Sequence, residues 1–198
     1  MPRLLLASGS DIRARIMRNA AIPIELRTTR IDEDGYRQSM TAEGLSPRDM
    51  ADHLAEIKAM KVAARAPDAL VLGCDQILDF NGTTLAKPVT PDEAVAQILM
   101  MSDRTHALHS AVVLIEHGTP AWRHVETARL TMRPLSEAYV ADYVARNWDS
   151  IRHCVGGYQL ESEGVRLFSR VDGDYFTILG LPLLPLLNHL ALREVIAT

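Results

Sequence analysis

The residues of this chain that could do chemistry are two carboxylates and several cations. Asp75 follows an apolar run, Glu33 sits inside the acidic triplet Asp32-Glu33-Asp34, Lys58 lies in a helix-period segment, and Lys87 precedes Pro88. Oxygen ligands of this kind hold a hard divalent cation, and cations balance a polyphosphate, so the set has the composition of a Mg²⁺-dependent phosphoryl-transfer site. The segment Ala7-Ser8-Gly9-Ser10-Asp11-Ile12-Arg13 adds hydroxyls, a glycine and an arginine one turn into a helix. Backbone N–H groups at a helix start and an arginine fork together suit an anion. The spacing is neither that of a P-loop nor that of a dinucleotide fingerprint. Each feature also has a plain structural use. Ser10 can be an ordinary cap, Asp75 a turn residue, and Lys58, Lys87 and Glu33 solvated side chains.

These groups need a scaffold, and the composition provides for one. With 198 residues, 47% apolar and 23% charged, the chain has the balance of a globular protein with a sizeable core. The net charge is −4 and the 21 Lys and Arg are scattered, which excludes the electrostatic footprint of a nucleic-acid binder. An anionic ligand must therefore meet a local basic cluster. Cys74 and Cys154 share no metal-ligand spacing and are too few for a secreted disulfide framework. No apolar run reaches the roughly 20 residues of a membrane span, and Leu4-Leu5-Leu6-Ala7 is too short for a signal-peptide core. A cytoplasmic protein with no membrane partner is expected. His106 and His109, three apart, fall on opposite faces of a strand and read as surface or hydrogen-bonded histidines rather than zinc ligands.

The positioning elements follow from period and punctuation. Residues 3–7 predict a buried strand, 11–20 a helix with Ile12, Ile16 and Ala20 four apart, and 22–28 a second strand. Residues 32–44 carry few apolar side chains and read as a loop. Ser46-Pro47 starts a helix running to about Arg65, and 69–74 is a strand with Asp75 at its end, where α/β proteins usually place ligands. Asn81-Gly82 marks a hairpin turn, and Thr90-Pro91-Asp92-Glu93 a capping box opening a helix to about Met101. Residues 105–115 and 125–132 form a hairpin around His117-Gly118-Thr119-Pro120, Ser136 caps a helix to Arg146, residues 165–171 and 175–179 are strand-like around Asp172-Gly173, and Pro182 opens a closing helix. Alternating strands and helices with inserted hairpins predict a single α/β domain, residues 1–198, with a mixed twisted sheet flanked by helices.

In this order the segments resemble the Maf family of nucleoside triphosphate pyrophosphatases over nearly the whole chain. Leu6-Ala7-Ser8-Gly9-Ser10 with Arg13 is similar to the family's opening motif, Ile31-Asp32-Glu33 to its acidic segment, and Leu54-Ala55 with Lys58-Ala59 to its helix motif. Leu72-Gly73-Cys74-Asp75-Gln76, Lys87-Pro88, Met101-Ser102 with Arg104-Thr105-His106, Asp172-Gly173-Asp174-Tyr175 and Gly180-Leu181-Pro182 continue the match. The chain departs from the pattern at Asp103, where the family commonly has glycine, and at Asp11, where it commonly has proline.

The resemblance implies a mixed α/β fold, often a homodimer, that hydrolyses a nucleoside triphosphate to the monophosphate and pyrophosphate with Mg²⁺ or Mn²⁺. It makes Asp75 the general base and, with Glu33, the metal site; Ser8, Arg13, Lys58 and Lys87 bind phosphates. It makes Ile12, Gln76 and Glu161 the specificity positions. Gln76, Glu161 and the segment His153-Cys154-Val155-Gly156 match the group acting on 7-methyl-GTP, whereas the dTTP/UTP group has Thr and Gln at the first two. Ile12 departs from that group's frequent Trp and forfeits a cation–π term of about 0.5–2 kcal/mol for a cationic base. The alternatives are a dTTP/UTP pyrophosphatase and, from a different class, a nucleotide-binding regulator of cell division without turnover. Asp75, Glu33 and both lysines argue against the latter, because a pure binding module has no use for a general base.

Overall fold

Leu4–Ala7 forms strand β1, and all four of its side chains are buried. The structure, a computed structural model, describes residues 3–197. Ser10 caps helix α1 (Asp11–Asn19) through its hydroxyl, which accepts from the Arg13 N–H. The remaining strands and α-helices are β2 (Glu25–Leu26), α2 (Glu33–Ala42), α3 (Pro47–Ala63), β3 (Leu70–Phe80), β4 (Thr83–Leu85), α4 (Pro91–Met101), β5 (Thr105–Glu116), β6 (Thr119–Met132), α5 (Glu137–Ile151), β7 (Phe168–Asp172), α6 (Tyr175–Ile178) and α7 (Leu183–Leu192), with short 3-10 turns at Val155–Gly157 and at Glu163–Leu167, where a strand is expected to begin at 165. The strands share one sheet in the order β2-β1-β3-β5-β6-β7, with β4 paired to β3. β1 runs parallel to β2 and β3, while β3/β4 and β6/β7 are antiparallel, so the sheet is mixed and the fold is α/β as expected.

The chain divides into two compact units, one of Met1–Gln76, Ser110–Glu126 and Asp174–Thr198, the other of Ile77–His109 and Thr127–Gly173. In the first unit, strand alternation sorts side chains to two faces. Leu4 and Leu6 of β1 and Leu70, Leu72 and Cys74 of β3 join a core with Met17 of α1 and Leu186 and Leu190 of α7. The intervening positions of β3, Val71, Gly73 and Asp75, face the opposite way. There a Cβ on Gly73 would stand 2.0 Å from the Ala55 carbonyl oxygen and 2.8 Å from the Ala59 Cβ. Glycine at 73 is thus what lets α3 lie directly on the sheet.

Several expectations are corrected. Residues 33–42 are helical rather than a loop: the Asp32 carboxylate caps the Gly35 N–H, Met40 is buried, and Glu33 pairs with Arg37 one turn on. A single docked methionine anchors an otherwise polar helix, too little for periodicity to register. Strand β2 shrinks to two residues. Strand β3 does not stop at Cys74 but continues to Phe80: its register with β1 ends at Gly73, and its far end, Leu78 to Phe80, pairs with β4. Strand β6 begins at Thr119 because His117 and Gly118, with φ of 48° and 76°, make a two-residue turn. Residues 175–178 form a helical turn, not a strand, since the Asp174 carboxylate accepts from the Thr177 N–H. Asp103, where glycine is usual in the family, has a φ of 57°, the left-handed region that Asp tolerates better than most residues. Among the described residues no helix is long and apolar enough to cross a membrane.

In the second unit His106 is buried, with Nε2 2.6 Å from the Tyr158 hydroxyl and its ring against Phe168. Burial lowers its pKa from 6.5 to about 4. Between those values the unfolded chain carries a proton that the folded chain does not, so stability contributed by this residue is intact above pH 6.5 and falls as pH drops towards 4. The total loss is roughly 3 kcal/mol. Urea unfolding of wild type and His106→Phe from pH 7 to pH 4.5 should show a shallower decline in the variant. Parallel declines would mean that His106 charges in the folded protein.

Candidate active site

Asp75 is buried in β3, two residues beyond the last register pair with β1, Ala7 with Gly73. The expected strand-end position therefore survives in altered form, since Asp75 lies past the carboxyl end of the neighbouring parallel strand although its own strand continues. Alternation turns its carboxylate towards α3, where the Lys58 ammonium bonds Asp75 Oδ1 at 2.5 Å and Glu33 Oε1 at 2.8 Å. Lys58 is thus not a solvated side chain but a largely buried bridge between two carboxylates, of which Glu33 stays partly exposed. Glu33 sits in the first turn of α2 and is also 3.6 Å from Arg37, a site neighbour missed from sequence because its segment read as a loop. The i,i+4 spacing of Glu33 and Arg37 was the available signal.

The first loop is organised around Arg13. Its Nε donates to the Gly180 carbonyl at 2.7 Å, and its Nη1 donates to the Cys74 carbonyl at 3.1 Å and Ser8 Oγ at 3.3 Å. Ser8 Oγ also accepts the Ser10 N–H at 3.2 Å. Three of the five guanidinium N–H groups, on Nε and Nη1, are thereby used to hold the fork in place. Gly180 has a φ of 94°, and a Cβ there would stand 3.1 Å from the guanidinium, so glycine serves both the turn and the approach of Arg13. Desolvation inside this shell pushes the adjacent Cys74 thiol up to about 11, which keeps it a neutral core side chain.

Gln76 points to the opposite face from Asp75. Its amide nitrogen donates to Ser110 Oγ at 3.0 Å and to the Ile178 and Thr177 carbonyls at 2.9 and 3.2 Å. Two carbonyls at the nitrogen fix the amide orientation. Ser110 and Thr177, both buried, were not singled out from sequence, because only the fold brings strand β5 and helix α6 to Gln76. Ile12 is half-buried against the α1/α7 core. Lys87 and Glu161 belong to the second unit, where both act electrostatically on Cys154, Glu161 raising and Lys87 lowering its pKa; burial is the larger cause of its net rise. Lys87 is exposed and its neighbour Pro88 buried. His109 contacts Thr127 at 2.9 Å and Asp79 at 3.4 Å; it and His106 are buried and hydrogen-bonded, rather than at the surface.

The donor set fits one class of metal. Asp75 Oδ2 is buried with no hydrogen-bond partner among the described residues, while Oδ1 is held by Lys58. Among the described residues no three His, Cys, Asp or Glu side chains gather into a metal cage. Two carboxylates with the remaining positions open suit Mg²⁺ or Mn²⁺, which complete their shells with phosphate oxygens and water, better than structural zinc.

The chain is similar to known proteins over nearly its full length. It is 57% identical over 195 residues, 98% of each chain, to a nucleoside triphosphate pyrophosphatase of Ruegeria pomeroyi. It is 56% identical over 194 residues, again 98% of each, to a nucleoside triphosphate pyrophosphatase of Roseobacter denitrificans. A 7-methyl-GTP pyrophosphatase of Rhizobium meliloti is 45% identical over 189 residues, 96% of this chain and 95% of that one. Residues 3–193 match the Maf-like protein family, and with relatives this similar over nearly its whole length, the chain belongs to that family.

Proposed function

We propose that this chain is a Maf-family nucleoside triphosphate pyrophosphatase that hydrolyses 7-methyl-GTP to the monophosphate and pyrophosphate with Asp75 as general base. The observation that carries the reading is the Asp75 carboxylate, with one oxygen anchored by Lys58 and the other buried without a partner among the described residues. In this reading Oδ2 takes the proton of the attacking water as its oxygen bonds to phosphorus, and the bond to the departing pyrophosphate breaks. Arg13, fixed by Gly180, Cys74 and Ser8, meets the phosphates through Nη2, with Ser8 at the same anion and Lys87 supplying a further cation. Glu33 and Asp75 would hold Mg²⁺ or Mn²⁺, which when bound neutralises phosphate charge and acidifies water. Lys58 keeps the two carboxylates together and contributes positive charge beside the phosphates.

The 7-methyl-GTP assignment rests on Gln76 and Glu161, and the Rhizobium meliloti relative is in keeping with it. Guanine presents two adjacent donors, the ring N–H and the exocyclic amine, which a carboxylate accepts as a pair, and methylation adds positive charge that strengthens the attraction. A pyrimidine offers one N–H flanked by carbonyls, leaving unpaired acceptors at about 1–3 kcal/mol, or roughly a five- to 150-fold preference. The test is kcat/KM for 7-methyl-GTP, GTP, dTTP and UTP with Mn²⁺ and with excess chelator, in wild type and Glu161→Gln. We expect pyrophosphate as product, no turnover in chelator, and a narrowed gap to the pyrimidines in the variant. A wild-type preference for dTTP or UTP would replace the substrate, and orthophosphate as product would replace the reaction.

A further inference from the structure

A second basic locus lies in the first unit, away from the Asp75–Lys58 pair. A cavity of about 100 Å³ opens between the β1/β2 edge and the C-terminal half of α3, with Leu5 at its floor and Arg27, Thr28, Thr29, Lys61 and Arg65 around it. Its lining holds three cations, two hydroxyls and no carboxylate, in a chain whose net charge is −4. The nearby Glu25 is shared: Arg3 grips it with two bonds of 2.5 and 2.6 Å, and Arg27 reaches it at 3.3 Å. Among the described residues, Lys61 Nζ bonds a neutral acceptor, the Arg30 carbonyl, at 2.7 Å. Acidic residues of α3 are directed elsewhere, with Asp52 and Glu56 both bound to Arg123. Like charges gathered around a concavity repel one another unless an anion enters.

We infer that this cavity is an accessory binding site for a small phosphate-type oxyanion, held by Lys61, Arg65 and Arg27 with the threonine hydroxyls as neutral donors. Size selects the ligand, since pockets for nucleoside-sized molecules span roughly 300–1,000 Å³, so this one takes a free anion or the phosphoryl end of a longer molecule. Position makes it a separate site. Leu5 is in register with Val71, four residues before Asp75, which is about 13 Å of strand. Because Lys61 also tethers Arg30, just before the Asp32 cap of α2, occupancy bears on the segment that carries Glu33. The inference does not depend on the substrate proposed above.

Inorganic phosphate is the probe, followed by ¹⁵N–¹H amide shifts of the full chain at constant ionic strength. The expected result is saturable shifts at Thr28 and Thr29 that potassium chloride does not reproduce. Arg65→Gln and Lys61→Met should each weaken that binding by about tenfold, the scale of one charge-assisted contact. Shifts at Ser8 and Arg13 should persist in both variants, separating this locus from the loop that meets substrate. A nucleoside monophosphate shifting the same amides as strongly would identify the ligand as a phosphoryl end, and a weaker effect would identify it as the free anion. Shifts confined to residues 8–13, shifts reproduced by chloride, or shifts untouched by both substitutions would overturn the site.

Discussion

Asp75→Asn should lower kcat by on the order of 10²-fold or more while the protein remains folded. The amide has the same shape but cannot take the proton that the attacking water must lose. The fold should persist because Lys58, which loses half its charge pairing, retains Glu33 at 2.8 Å, and no buried ammonium is left alone. Circular dichroism and a melting curve accompany the rate measurement, so that a misfolded protein is not read as a catalytic defect. A variant with wild-type structure and more than about a tenth of the wild-type rate would remove Asp75 from the role of base.

The second large effect is expected at Gly73, which has no functional group at all. In Gly73→Ala the new Cβ would stand 2.0 Å from the Ala55 carbonyl oxygen and 2.8 Å from the Ala59 Cβ, both on helix α3. Backbone has to move, and overpacking of this kind costs about 1–3 kcal/mol, or several degrees in Tm for a chain of this size. The same movement carries Lys58 away from Asp75 and Glu33. Displacements of about 1 Å in such constellations cost up to about 10²-fold in rate. The variant should thus lose both melting temperature and kcat/KM, whereas loss of stability alone would show that α3 yields without disturbing the Lys58 bridge. Wild-type values for both would mean that the helix is not held against the sheet at this point.

Much of the local structure was legible in the chain. Ser10, Ser46, Thr90 and Ser136 each cap the helix that follows, because a hydroxyl next to the first turn satisfies an N–H that no neighbour in the helix can reach. Asn81-Gly82 makes its turn for an equally local reason, with both residues at positive φ. The readings that failed turned on burial, on strand pairing, or on a cap that apolar periodicity does not register. Helix α2 needs Met40 to find a buried place, strand β3 continues because β4 returns to pair with it, and residues 175–178 coil rather than extend because Asp174 caps them.

The sequence by itself determined the family, the carboxylates and cations, and the alternation that sends Cys74 and Gln76 to one face of β3 and Asp75 to the other, since these depend on residue identity and a period of two. Only the tertiary structure decided what those residues meet. It made Lys58 a bridge rather than a surface lysine, and turned Arg13 into a fork held by Gly180, 167 residues away in the chain. It also gathered Arg27, Lys61 and Arg65 around one cavity. The physical reason is that pairing strength falls off over a few ångströms, so the partner of a charge is set by how closely helix and sheet approach, and here that distance is controlled by the missing side chain of Gly73.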